Sequence, residues 1–305
     1  MRIRNTLLTS AAALLCAASV PANALSLHTW VSGAIGNDST CTGTRTAPCA
    51  TFQQALSLTA AGGTISVADP GDFGPVTIAQ SVTVDGGNMG SVGFGGHTIG
   101  IYVNAPTSSP TNVVLRNLAI DGQGTGSESI QIAGQVSLTV DGCKLEGFYS
   151  GGISLLSSAA ENVLVTNTVI DGANVASVGM IAGMGTGPDV VALDHVTIKG
   201  VTLYAVSNES GGVMQVTNSV LTQSNIAVLA QYGSTISVAN TAITANQTGV
   251  CSSTGSKIRL DTNDIYDSTT AAIANCGGQI KTSGTNRTSG AILIPASLVS
   301  DSVLF

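Results

Sequence analysis

Three acidic residues recur at the same place in successive repeats of this sequence. Asp121, Glu146 and Asp171 each directly follow a short apolar strand, and Lys199 takes the equivalent position in the next repeat. If the repeats stack about 4.8 Å apart, Glu146 lies between two like charges. That arrangement favours a bound cation or a raised carboxyl pKa, and carboxylates are typical Ca²⁺ ligands. We therefore name Asp121, Glu146 and Asp171 as a candidate Ca²⁺ site, with Glu128 or loop carbonyls completing the coordination.

Three interpretations of this acidic series stay open. The carboxylates can simply point into water, which we rank first, or they can hold a structural cation, which we rank second. In the third interpretation the cation serves an elimination reaction, in which Ca²⁺ acidifies a uronate and a Lys or Arg abstracts its proton.

The acidic series depends on a repeat of short strands. An alternating apolar strand ends in a residue that tolerates a left-handed backbone, and a hydrophobic residue follows three places later, at intervals of about 22 to 31 residues. Repeats of this length without a helical pattern predict a parallel β-solenoid. The predicted turn residues are Gly86, Asn117, Gly142, Asn167, His195, Asn218, Asn240 and Thr262, and the hydrophobic residues after them run from Met89 and Ile120 to Ile265. Asn117, Asn167, Asn218 and Asn240 should line up at one corner, and a one-residue shift would let Asn263 replace Thr262.

Composition limits the partners and the compartment. Only 9% of the 305 residues are charged and the net charge is −7, which excludes the basic surface that nucleic acid or anionic membranes need. Arg2 and Arg4 precede an apolar run over residues 7–20, and small residues at 22–24 complete a predicted signal peptide, residues 1–24. We expect a secreted or periplasmic protein with no membrane span after cleavage.

The domain prediction is a single β-helix over residues 25–305. Thr51 and Gln54 have the spacing of a helix capping box, which predicts a short N-terminal capping helix within a cap at about 41–62. Apolar residues near the end predict a C-terminal cap at about 286–305.

Five cysteines remain once the signal peptide is removed. Cys41 and Cys49 flank a short Thr/Gly/Pro loop and are our first disulfide prediction. Cys251 and Cys276 are one coil plus a few residues apart, so a bridge between them would need a bulge or loop, and we leave this pair open. Cys143 falls on an inward position and is predicted to be a buried apolar residue.

The coil sequence resembles the pectin-lyase-like superfamily. Residues 162–172, Asn-Val-Leu-Val-Thr-Asn-Thr-Val-Ile-Asp-Gly, are close to its generic coil, and residues 50–56, 63–67 and 76–86 are similar to its entry segment. The resemblance covers about residues 29–285. It implies an all-β fold, a right-handed parallel β-helix with three strands per coil, and a polysaccharide cleft on the outer face of the strand after the variable loop.

In enzymes of that superfamily the resemblance implies that carboxylates, Arg, Lys or His line the cleft. Alternation assigns a column of outward residues to this face, and none of them is an acid or a base: Tyr102, Gln131, Ser154, Ala182, Tyr204, Ala227, Cys251 and Ala274. The paired carboxylates of a glycoside hydrolase are missing from it.

Aromatic residues nevertheless suit this face for binding sugars. Tyr102, Gln131, Tyr149 and Tyr204 are the candidate ligand-binding residues, because aromatic rings stack on sugars and amides bind hydroxyls. We predict an exported, non-catalytic or catalytically unproven module that binds a polysaccharide or cell-surface glycan. The alternatives are a polysaccharide lyase or glycoside hydrolase, and a structural or adhesive shaft that self-associates through its uncharged sides.

Overall fold

The protein is a parallel β-helix, as the sequence predicts, and it has about nine coils. The computed structural model describes residues 25–106, 110–156, 159–183, 189–209, 211–283 and 285–293. Each coil contributes to three parallel walls, and equivalent residues of neighbouring coils pair in register. The predicted signal peptide and most of the predicted C-terminal cap lie outside the described residues.

Three long strands bend through the corners and belong to more than one wall: Val82–Gly93, Thr111–Ala133 and Lys144–Leu155. The first wall also contains Ser26–Val31, Thr59–Val67, Val136–Asp141, Asn162–Thr166, Val190–Asp194, Val213–Thr217, Thr235–Ala239, Lys257–Asp261 and Gln279–Thr282. The second wall contains Gly71–Asp72, Val169–Asp171, Thr197–Lys199, Val220–Thr222, Ala242–Thr244, Asp264–Tyr266 and Arg287–Thr288. The third wall contains Val76–Ile78, Ile99–Asn104, Val178–Ala182, Tyr204–Asn208, Ile226–Ala230, Thr248–Ser253, Ala271–Cys276 and Ile292–Leu293.

Aliphatic residues fill the inside of the coils. Period-two alternation gives each strand one apolar face, and those faces stack from coil to coil. One such column of the first wall is at most 2% exposed throughout: Val84, Leu115, Val140, Val165, Leu193, Val216, Val238 and Leu260. Burial of these residues supplies the main driving force for coil formation.

The helix Phe52–Leu58 begins as the capping-box spacing predicts. The Thr51 hydroxyl accepts a hydrogen bond from the Gln54 amide at 3.1 Å, and Asp38 in turn accepts the hydroxyl of Thr51 at 2.8 Å. Phe52 is fully buried against Phe73, with ring centroids 5.0 Å apart. That this helix covers the open end of the solenoid stays a prediction.

The corner between the first and second walls has the predicted left-handed backbone. Asn117, Asn167, Asn218 and Asn240 all have φ of 50–55°. Gly142 and His195 share this conformation, and so does Thr262, at 53°. The suggested shift to Asn263 is therefore wrong, because Asn263 is fully buried and accepts the Thr241 amide instead.

The first predicted corner differs from the others. Gly87 and Asn88, rather than Gly86, are left-handed, and the register shifts between Asp85 and Gly90. Val92 consequently pairs with Ile120, while the predicted core residue Met89 is 41% exposed. The turn after Asp85 is longer than in the following coils, so the core position that was predicted at Met89 is taken by Val92.

Aspartates of neighbouring coils hold this corner together. The Asn167 amide donates to Asp141 Oδ1 at 2.8 Å, and the Asn218 amide donates to Asp194 Oδ1 at 2.7 Å. The Thr217 hydroxyl also donates to Asp194 at 2.7 Å. Because hydrogen bonds from Asn218, Thr217 and His195 favour the carboxylate, the pKa of Asp194 is lowered to about 2.

We expect this corner to make the protein acid-sensitive. Since the folded pKa of Asp194 lies below the unfolded value near 3.9, its stabilisation is present above pH 4 and is lost as the pH falls from about 4 to 2. A fully shifted aspartate contributes ~2.6 kcal/mol, and solvent exposure of Asp194 reduces this to ~1 kcal/mol or less. Urea unfolding at pH 2 to 7 should show a smaller loss of stability in Asp194→Asn than in the parent. Asp267→Asn, an exposed corner control, should match the parent, and a parent-like acid transition in Asp194→Asn would contradict the prediction.

The predicted Cys41–Cys49 disulfide is present, and so is the Cys251–Cys276 bridge that the sequence left open. Cys41–Cys49 and Cys251–Cys276 have Cα–Cα distances of 5.0 Å and 5.6 Å. The second bridge needs no register shift between its strands, because Cys251 pairs with Ala274 and the bridge runs diagonally to Cys276, which pairs with Ser253. Cys143 is a buried free thiol, as predicted, and burial raises its pKa to about 11.

Candidate functional site

An outward column of the third wall carries two of the candidate ligand-binding residues. Tyr102 pairs with Gln131, and Gln131 pairs with Ser154. The following coils complete the column with Ile181, Ser207, Leu229, Cys251 and Ala274, but Ser154, Ser207, Leu229 and Cys251 are buried. Like the predicted column, it contains no acid or base.

The sequence-based column was wrong at Ala182, Tyr204 and Ala227. Tyr204 pairs with Val178 in a neighbouring column, three coils from Glu128 and therefore about 14 Å away. Loops of different length precede these strands, so alternation alone does not set their register. A one-residue slip also reverses the face, which is why Ala182 is fully buried.

Glu128 forms a hydrogen-bond network with the start of this column. Its Oε2 accepts the Gln131 amide at 2.7 Å, and Ser154 also donates to the carboxylate. Burial raises the pKa of Glu128, although both hydrogen bonds act in the opposite direction. Glu128 was considered only as an extra Ca²⁺ ligand, and its position on the third wall, paired with Gly151 and Ile99, separates it from the acidic series on the second wall.

An aromatic pair stands beside this network. Tyr149 is 56% exposed, and its ring meets the ring of His97 edge-on with centroids 6.4 Å apart. His97 lies two residues before Ile99, and Tyr149 lies two residues before Gly151, so both flank the Glu128 column. We call His97, Tyr102, Glu128, Gln131 and Tyr149 the tyrosine surface. Sequence analysis missed His97 and missed Glu128 as a member of this face, because only the bulged register around Gly126 and Glu128 brings them there.

Comparison with known proteins identifies the fold. The chain superposes on the crystal structure of pectate lyase Pel9A with a TM-score of 0.69 and 12% identity, over 92% of this chain and 80% of that one. It also matches the A-module of the Azotobacter vinelandii mannuronan C-5 epimerase AlgE6 with a TM-score of 0.50 and 13% identity, over 81% of this chain and 83% of that one. The chain has the pectin-lyase-like β-helix fold. No family model and no curated protein matches it, so the similarity shows the fold alone.

The second wall of this pectin-lyase-like β-helix aligns the acidic series as predicted. Asp121 pairs with Glu146, Glu146 with Asp171, and Asp171 with Lys199. Lys199 Nζ lies 2.9 Å from Asp171 Oδ2, and Lys144 Nζ lies 2.7 Å from Glu146 Oε2. Two of the three carboxylates therefore already have a cationic partner.

The Asp121 and Asp171 carboxylates also accept hydrogen bonds from backbone amides. Asp121 Oδ1 accepts the amide of Gln123 at 2.8 Å, and Asp171 Oδ1 accepts the amide of Ala173 at 3.0 Å. These are the contacts of side chains that shape a turn. Calcium binding by Asp121, Glu146 and Asp171 stays a prediction, and the lysine pairs favour the hydrated-surface interpretation.

Across the described ranges, the one group of three potential metal-ligand atoms within 4.8 Å of one another comes from Asp38, Cys41 and Cys49. Both cysteines are in the disulfide, and Asp38 accepts the amides of Ala50 and Thr51. Asp38, Cys41 and Cys49 therefore stabilise this part of the pectin-lyase-like β-helix and are already engaged with protein groups. No helix in the part of the chain described here has the length and apolar content for a membrane crossing.

Proposed function

We propose that this protein is an exported module that binds a polysaccharide across the tyrosine surface. The observation that carries the proposal is the exposed Tyr149–His97 pair next to the hydrogen-bonded Glu128–Gln131 network. An aromatic ring can cover the apolar face of a sugar, while the amide and carboxyl groups bind its hydroxyls. The two disulfides suit an oxidising, extracytoplasmic compartment.

The extent of the tyrosine surface favours a polymer over a single sugar. Tyr102 and Tyr149 belong to coils two rungs apart, which separates their backbones by about 10 Å. A pyranose ring stacked on one tyrosine would not reach the other. Two proteins of this fold are named for pectate and mannuronan, which supports a polysaccharide as the ligand class.

The charge of the tyrosine surface favours a neutral chain. Glu128 is its acid, and neither Lys nor Arg belongs to it, while the whole protein carries a net charge of −7. A polyuronate would meet repulsion here unless a cation intervened. We therefore propose a neutral polysaccharide.

Substitution of the exposed ring tests the site. Tyr149→Ala should weaken binding of the best neutral polysaccharide about 10-fold, equivalent to ~1.4 kcal/mol, because the stacking ring is lost. Affinity electrophoresis against a panel of neutral and acidic polysaccharides, followed by calorimetry, measures this. Tyr232→Ala is the matched control, since Tyr232 is 72% exposed and lies outside the tyrosine surface. Equal affinities of Tyr149→Ala and the parent, or no binding across the panel, would contradict the proposal.

The same panel separates binding from catalysis. Burial makes Glu128 a suitable general acid, but glycoside hydrolysis also needs a second carboxyl group about 5–9.5 Å away. The tyrosine surface contains one carboxyl group, which argues against hydrolysis, and it lacks the Lys or Arg base of an elimination, so we expect no release of reducing ends or unsaturated uronates. Turnover that disappears in Glu128→Gln would replace binding with catalysis as the function, and concentration-dependent sedimentation without glycan binding would favour the adhesive shaft.

A further inference from the structure

Two buried carboxylates lie one above the other where the third wall turns into the first wall. Glu161 and Asp189 each directly precede a first-wall strand, and the next residues, Asn162 and Val190, pair in register. The Glu161 amide donates to Asp189 Oδ1 at 3.2 Å. Glu161 is 0% exposed and Asp189 is 1% exposed, so both carboxylates are enclosed within the corner.

Within the described part of the chain, the Glu161 carboxylate lacks the hydrogen bonds that normally stabilise a buried charged group. Among the residues that the structure describes, neither of its carboxylate oxygens has a hydrogen-bond partner, although both are inaccessible to solvent. Burying an ionised carboxylate is costly unless it is paired, and the adjacent charged group in this corner is another acid. Burial, followed by the charge of Asp189, raises the pKa of Glu161 to about 9.

Protonation of Glu161 would remove its charge, but it would not supply all the hydrogen-bond partners that the carboxyl group needs. A protonated carboxyl group is an O–H donor that needs an acceptor, and its other oxygen still needs a donor. The Glu161 oxygen that stays unprotonated would still lack a donor among the described residues. At the equivalent position of the next coil Gly212 has no side chain, and an added Cβ there would collide with the Asp189 backbone.

We propose that Glu161 and Asp189 bind a divalent cation, Ca²⁺, inside this corner of the coil. Carboxylate oxygens are the ligands that this hard cation selects, and coordination uses the lone pairs that the protein leaves unsatisfied on Glu161. One Ca²⁺ also balances both negative charges. The acidic series on the second wall differs, because Lys144 and Lys199 already balance two of its carboxylates.

Calcium binding to the full chain tests the proposal. After EDTA treatment and buffer exchange, equilibrium dialysis with Ca²⁺ should give one bound ion per chain, and Ca²⁺ should raise the Tm in a concentration-dependent way. Glu161→Gln is nearly isosteric and removes one carboxylate ligand, so it should fold, bind Ca²⁺ at least 10-fold more weakly and lose the Ca²⁺-dependent Tm shift. Asp189→Asn should show the same loss.

Asp267→Asn is the matched control, since it removes one exposed carboxylate that belongs to neither acidic group and should keep the parent's Ca²⁺ binding and Tm shift. No bound Ca²⁺ in the parent, or parent-like binding by Glu161→Gln, would overturn the proposal. Loss of binding in Glu146→Gln with retention in Glu161→Gln would overturn it as well, and would assign the ion to the second wall. Polysaccharide affinity is measured separately, so failure here leaves the function of the tyrosine surface untouched.

Discussion

Phe148→Ala will lower the free energy of unfolding by about 3–5 kcal/mol, the usual cost of emptying a buried phenylalanine site. Phe148 is 0% exposed, and its partner in the neighbouring coil is Gly126. A Cβ built on Gly152 would lie 3.3 Å from its ring. Gly152 therefore has no side chain that could fill the cavity when the ring is removed.

Urea unfolding measures this loss, and an unchanged slope would confirm that the native state stays compact. The control is the neighbouring residue: Tyr149→Ala should change stability by less than ~0.5 kcal/mol, because Tyr149 is 56% exposed. A loss below ~1 kcal/mol in Phe148→Ala would mean that Phe148 does not anchor this corner. Since Phe148 directly precedes Tyr149 in the same strand, Phe148→Ala should also weaken polysaccharide binding.

Removal of the Cys251–Cys276 disulfide should cost about 3.5 kcal/mol. The bridge closes a segment with a sequence separation of 25, and the entropy that it removes from the unfolded chain gives this magnitude. The Cys251→Ala/Cys276→Ala variant avoids free thiols and tests the prediction by urea unfolding. The bridge also joins the paired third-wall strands of two neighbouring coils.

The first disulfide provides the comparison. Cys41 and Cys49 are separated by 8 positions, so the Cys41→Ala/Cys49→Ala variant should lose only about 2.5 kcal/mol by the same relation. Oxidised and reduced parent protein should differ by about the sum of the two effects. Equal stabilities of the parent and the Cys251→Ala/Cys276→Ala variant would show that coil stacking alone holds the C-terminal part.

The tyrosine surface shows where prediction from sequence stops. Tyr102 and Gln131 share one column, as predicted, because their strands follow regular alternation and pair without a shift. Tyr204 was misassigned because the loop before its strand differs in length, and its true column is set only by pairing with Val178 and Ile226. Glu128 joins the site through a register shift that no local pattern indicates.

Thr262 shows the converse. Its residue type argues against a left-handed conformation, yet it adopts φ of 53°. Hydrogen bonds to the coils on each side hold this backbone in place. The Asn240 backbone amide donates to the Asp261 carbonyl oxygen, and the Thr262 backbone amide donates to the Thr285 hydroxyl. Tertiary stacking thus overrides the local preference of a threonine.

By itself the sequence determined the coil: alternating aliphatic residues, corner residues that accept positive φ and the capped helix at Phe52–Leu58. These features are local, because each depends on residues within a few positions of one another. The tertiary structure alone decided which side chains meet across coils. It paired Lys144 and Lys199 with the acidic series, joined Glu128 to Gln131, and buried Glu161 against Asp189. Such contacts depend on loop lengths and bulges between coils, so the periodicity that encodes the fold does not encode them.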